Sequence, residues 1–142
     1  MEAGTTEAVA RRGDPAAVAR LTANLKAEQK LREAGQVREA IRLSGGFHTL
    51  LAELAGNAIL AEQVKLLVAR TSLVVALYEN RQGLACWHDD HGEMVALIQA
   101  RRHRAAVALM RRHLDEIEGG LVLDGVAAGT LDVRIMLAAN QG

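Results

Sequence analysis

Apolar residues recur along this chain at steps of three and four rather than two, a spacing that predicts helices from end to end. A first helix is expected over 2–12. The Gly13-Asp14-Pro15 break then ends it and starts a second over 15–34, because Asp14 can cap free amides and proline suits the first helical position. Val18, Leu21, Leu25 and, less regularly, Leu31 line one side of that helix, and Gly35 closes it. A third helix, 36–55, carries its stripe on Val37, Ala40, Ile41, Ser44, Phe47, His48, Leu51 and Leu54. Gly45 and Gly46 lie inside it. Each costs about 1 kcal/mol relative to alanine there, so a packing or ligand reason for a small residue is implied.

Gly56-Asn57 breaks the chain again, and a fourth helix is expected over 58–78. It is apolar nearly all round, which suits the centre of a bundle or a dimer contact. The stretch ENRQGLACW reads as a loop. A fifth helix, 88–101, has His91, Met94, Val95 and Ile98 on one face, and a sixth, 104–118, has Val107, Met110, His113, Leu114 and Ile117. Gly119-Gly120 should end it, leaving a Gly-rich tail of poor periodicity that lies along the bundle or stays mobile. The pattern predicts an all-α fold: one domain over 1–142, an antiparallel bundle of about six helices with short loops.

Composition narrows the function. Half the 142 residues are apolar, but only Phe47, Tyr78 and Trp87 are aromatic, so the core must be aliphatic. Seventeen basic and seventeen acidic side chains cancel. A neutral chain with three aromatics lacks both the basic footprint and the stacking platform of a self-sufficient nucleic-acid binder. Cys86 stands alone, so no internal disulfide forms, which fits a reducing cytoplasm. No apolar run is long enough to cross a bilayer, and the N-terminus has no signal-peptide core. A soluble, cytoplasmic protein that does not contact the membrane is expected.

The candidate chemistry lies in three histidines. His48, His91 and His113 each sit on the apolar stripe of a different helix. An imidazole that leaves water needs partners for its ring nitrogens. The residues alone leave two options: three separately hydrogen-bonded core histidines, or three rings converging on one divalent ion. Asp89 and Asp90 read as acidic residues favouring a helix N-terminus. The run Arg101, Arg102, His103, Arg104 reads as a solvated face, Trp87 as a packing residue or pocket lid, and His88 is open between roles. Phosphate-binding loops, dinucleotide fingerprints and serine-hydrolase signatures are missing from the sequence.

Three segments, FHTLLAELAGN (47–57), DDHGEMVALI (89–98) and ALMRRHLDEIEGGL (108–121), resemble in order and distance the FCD domain, the C-terminal effector-binding domain of FadR-type GntR transcription regulators. The histidine intervals, forty-three and twenty-two positions, fit that family's three metal-binding histidines. The resemblance implies a helical bundle in which His48, His91 and His113 hold a divalent ion, zinc or nickel, with manganese as a further option. It also implies a small organic acid bound at that ion and a homodimer whose geometry responds to it. Ser44, Asn57, Arg70, Trp87 and His88 are the expected contacts around the ligand.

The chain also departs from the family pattern. Ser44 stands where many members carry an aspartate ligand four residues before the first histidine, and a hydroxyl is a weaker ligand. Gly46 stands where an acidic residue is frequent in the branch this chain looks closest to. Arg101-Arg102-His103 replaces a small Gly-Asp turn. There is no room ahead of the bundle for the winged helix-turn-helix that such regulators carry. This chain alone is therefore expected not to read DNA, as an excised effector domain or a free-standing protein. A different expectation stands beside the sensor: a metalloenzyme using the same open ion for lyase, hydrolase or isomerase chemistry.

Overall fold

The computed structural model describes residues 1–82 and 90–122. Six helices and no strand occur among the described residues: α1 (Glu2–Arg12), α2 (Pro15–Glu33), α3 (Val37–Leu54), α4 (Ala58–Gln82), α5 (Asp90–Gln99) and α6 (His103–Val122). The all-α bundle expected from the periodicity is what forms. The first three helices match their expected spans to within two residues.

The turn between α1 and α2 shows how local sequence sets the path. Gly13 adopts φ 53°, a left-handed conformation that ends α1, and its N–H bonds to the Val9 carbonyl. Asp14 is extended and its side chain accepts from the Ala16 N–H at 3.1 Å, while Pro15 occupies the first turn of α2. A β-carbon at Gly13 would lie 2.6 Å from Arg101 Cγ, so the small residue also lets the α5–α6 turn close over it. Arg12 donates to the Leu54 carbonyl and covers the C-terminal end of α3.

α1 packs on α6, α3 and α5, and α2 packs on α3 and α5. The core lies between them, built from Val9, Leu21, Phe47, Leu51, Met94, Ile98 and Met110. Apart from Phe47 these are aliphatic side chains, as the composition requires.

Three expectations need correction. Of the two places expected for α4, the centre of the bundle is not what forms: it packs mainly against α3, Val64 is the buried apolar residue among its described side chains, and Ile59, Leu66, Leu67, Leu73 and Val74 are exposed. Its length is limited neither by Tyr78 nor by the expected loop, since the helix continues to Gln82. Gly119-Gly120 does not stop α6, which runs on to Val122. Two glycines cost a helix interior stability, but they end a helix only when the backbone turns left-handed, as at Gly13.

Gly45 has a packing reason to be glycine. A β-carbon there would lie 2.5 Å from Ser72 Oγ and 2.8 Å from Val68 Cγ1, so α3 and α4 could not approach as closely. Gly46 has no such constraint, with Asn24 Nδ2 at an ordinary 3.6 Å.

Candidate metal centre

α3, α5 and α6 bring one imidazole each to a single point. His91 Nε2 lies 3.1 Å from His48 Nε2 and 3.2 Å from His113 Nε2, and the third side of the triangle is 3.3 Å. His48 and His91 are buried, and the His113 side chain is 12% exposed. Local sequence places each ring: His48 lies one turn beyond buried Ser44 and one turn before Leu51, His91 opens the stripe that Met94, Val95 and Ile98 continue, and His113 follows Met110 by three.

Hydrogen bonding among the rings does not account for this triangle. A neutral imidazole has one N–H, which points along one direction and can serve one neighbour. Three mutual Nε2 contacts therefore leave lone pairs facing one another inside a low-dielectric interior. The chemistry of the donor set fits a shared cation instead. With ion–nitrogen distances of about 2.0–2.1 Å, nitrogens about 2.9–3.0 Å apart subtend a right angle and about 3.4 Å apart the tetrahedral angle. The observed sides fall between those limits.

Burial favours the neutral form of two of the rings. Burial pushes the His48 pKa well below 6.5, and the nearby His91 and His113 rings push the same way. Burial lowers the His113 pKa too, reinforced by His91 and partly opposed by Asp90. Both rings are neutral at pH 7, the form that ligates metal.

A carboxylate stands behind each ring, on the Nδ1 side. Asp90 Oδ2 is 3.1 Å from His113 Nδ1, Glu2 Oε1 is 3.4 Å from His48 Nδ1, and Glu28 Oε2 is 3.8 Å from His91 Nδ1. The Asp90 contact is a hydrogen bond. The other two are ion-pair distances, and both His48 Nδ1 and Glu28 Oε2 are buried without a hydrogen-bond partner. Glu28 Oε1 is held by Arg32, whose Nε is 3.0 Å away. Burial raises the Glu28 pKa, but His91 and Arg32 outweigh it and the carboxyl titrates below 4.5. Glu2 has no such surplus, and burial lifts its carboxyl above 4.5. Phe47 stacks flat on His91, with centroids 4.2 Å apart and planes 12° apart, and meets His48 edge-on.

Three of the other expected site residues, Ser44, Asn57 and Arg70, are among the described residues. Ser44 is buried one turn before His48. Asn57 is exposed, and its side chain accepts the Leu60 N–H at 3.0 Å, which makes it the cap of α4. Arg70 is exposed on α4. Trp87 and His88 lie outside the described residues, as does Asp89. Asp90 is more than a helix-start charge: it is buried, bonded to His113, and 3.3 Å from Arg112. Glu2 and Glu28 carried no warning in the sequence. Glutamates on helices are ordinarily solvated, and only the packing of α1 and α2 turns these two inward.

The bundle brings three imidazoles from three helices to one interior point, a group that could hold a metal ion. The chain belongs to the FCD domain family, whose model matches residues 1–116. Searches of curated proteins and of solved structures gave no match. The family makes this a regulatory effector-binding domain of GntR type. No described helix is long and apolar enough to cross a membrane.

Proposed function

We propose that this domain senses a small organic acid through a divalent ion held by His48, His91 and His113. The observation that carries the reading is the Nε2 triangle, with sides of 3.1, 3.2 and 3.3 Å. The ion would be zinc or nickel, with manganese less suited to an all-imidazole set. Bound there, it would supply a Lewis-acidic centre with positions left for a carboxylate. Three neutral imidazoles leave the ion's double charge uncompensated in the inner shell, which favours an anionic guest. The chain's own residues shape that shell: Phe47 stacks flat on His91, Asp90 bonds to His113 Nδ1 on the outer side, and Glu2 and Glu28 stand at ion-pair distance from the other two Nδ1 atoms. Ser44, Trp87 and His88 are the remaining candidates for contact with the acid.

Placement of the carboxylates favours sensing over catalysis. Glu2, Glu28 and Asp90 all face Nδ1 atoms, behind the rings, not the Nε2 side where a reacting molecule would meet the ion. None of these three carboxylates is therefore placed to act as an acid or base where a reacting molecule would meet the ion.

The reading takes the domain to act in the cytoplasm as a homodimer, with the exposed apolar row of α4 supporting the pairing. Occupancy would bias helix positions and so the dimer geometry.

Metal analysis tests the reading. Purified protein equilibrated with zinc or nickel should retain one ion per chain, and His48→Ala, His91→Ala and His113→Ala should each abolish retention. Thermal stability gives a second readout: free metal at a hundred times its Kd should add about 2.7 kcal/mol, and the three variants should lose that gain. Wild-type protein that neither retains an ion nor gains stability from zinc, nickel or manganese overturns the reading.

A further inference from the structure

The metal reading uses the three Nε2 atoms and leaves open why each ring is turned with that atom inward. A neutral imidazole carries its proton on either nitrogen, and the nitrogen that keeps it cannot ligate. The carboxylates behind the rings bear on that choice. They come from helices that supply no other part of the cluster or, for Asp90, from the residue just before a histidine: Glu2 from α1, Glu28 from α2, Asp90 from the start of α5. Each faces the Nδ1 of a different histidine.

Two of the three are braced in turn. Glu28 is held by Arg32 one turn along α2, and Asp90 by Arg112 across from α6. His113–Asp90–Arg112 is thus a hydrogen-bonded chain ending on a cation that orients its carboxylate, and His91–Glu28–Arg32 is arranged alike, with Glu28 at ion-pair distance from His91. Glu2 makes its ion pair with His48, and the N-terminal ammonium is a further charge acting on it.

We propose that Asp90 by its hydrogen bond, and Glu28 and the unbraced Glu2 by their charge at ion-pair distance, are positioning residues that favour the Nδ1 protons of His113, His91 and His48, so that three unprotonated Nε2 atoms face the ion. An ionised carboxylate accepts only, and behind Nδ1 it makes the Nδ1–H tautomer the stable one. The inference rests on the metal-site reading for its affinity consequence and stands apart from it for the tautomers.

Glu28→Gln and Asp90→Asn keep side-chain size while replacing an obligate acceptor with an amide that can also donate. The test has two arms. In metal-free protein, long-range proton–nitrogen NMR of the imidazoles should show His91 and His113 as Nδ1–H in the wild type. The tautomer of His91 should shift toward Nε2–H in E28Q, and that of His113 in D90N. In the second arm, cobalt binding followed by visible absorption should weaken by about 10- to 100-fold in either variant, and less in Glu2→Gln. Melting curves of the metal-free variants confirm that they fold. Wild-type rings found as Nε2–H, or variants that keep both the Nδ1–H tautomer and cobalt affinity within twofold, overturn the inference. A wild type that shows Nδ1–H tautomers but binds no cobalt, zinc or nickel overturns the metal reading and leaves the positioning role standing.

Discussion

Phe47 lies flat against His91, ring on ring, with centroids 4.2 Å apart and planes 12° from parallel. The two residues come from α3 and α5, so this stack ties the helix carrying one imidazole to the helix carrying another. Phe47 is fully buried and, among the described residues, is the one aromatic member of the hydrophobic core cluster. Phe47→Leu keeps an apolar side chain but removes the flat face. It should cost about 1–2 kcal/mol in urea unfolding, the range for an imperfect core swap plus a lost ring pair. A destabilisation below 0.5 kcal/mol, on the order of a surface change, would show that His91 does not depend on the stack.

Neighbouring glycines in α3 should respond with opposite sign. At Gly45 an added methyl meets Ser72 Oγ at 2.5 Å and Val68 Cγ1 at 2.8 Å. The α3–α4 contact must then spread, and Gly45→Ala should lose about 1–2 kcal/mol net of its helix-propensity gain. At Gly46 the nearest atom is 3.6 Å away, so Gly46→Ala should gain up to about 1 kcal/mol. Denaturant midpoints of the two variants, side by side, decide the matter: equal shifts would remove the close-approach explanation.

The stability of the metal-free protein should fall as acid is added below about pH 6.5. Burial, reinforced by the neighbouring imidazoles, depresses the pKa of His48 and His113 in the folded chain. In that window the unfolded chain takes up protons that the folded chain refuses, so protonation favours unfolding. The contribution is fully present above the unfolded value of 6.5 and erodes as pH drops toward the depressed values. Glu2 works the other way: burial raises its pKa, so ionising it above 4.5 costs the fold. Urea midpoints taken between pH 5 and pH 8 should therefore rise with pH to a plateau near neutrality, and His48→Gln should flatten the rise. Metal retention should fall over the same range, because the ligating form is the neutral ring.

Arg101 is the one non-glycine residue with positive φ among the described residues, at 55°. It ends α5 with its N–H bonded to the Ile98 carbonyl, while the next N–H, from Arg102, reaches Leu97. That is a left-handed helix end, where glycine is at ease and other residues are strained by about 1 kcal/mol or more. Arg101→Gly should stabilise the protein by about 0.5–1 kcal/mol, the relief being reduced by the lost cover over Gly13. Thermal melts will show the sign, and a lower Tm would mean that the Arg101 side chain matters more than its backbone.

Much of the helix plan is written in local order. Apolar steps of three and four, Asp14-Pro15 at a helix start and Gly13 at a helix end act over a few residues, and each leaves its mark in the letters. The histidine stripes were legible for the same reason: a residue's face on a helix follows from counting. Counting also placed Asn57 at a break, but it could not say that the side chain would serve as a cap.

Convergence is a different matter. That three stripes meet within 3.3 Å depends on how α3, α5 and α6 cross, and so does the inward turn of Glu2 and Glu28. The apolar letters of α4 suggest the centre of a bundle, yet the helix lies at its edge, because burial depends on what packs against a surface as well as on the surface itself. The amino-acid order therefore settled the helices and the faces they present, through forces that act within a turn or two. Which faces meet, and which carboxylate stands behind which ring, was decided by packing between residues far apart in the chain, 22 to 65 positions within the histidine triangle, a distance over which local pattern carries no information.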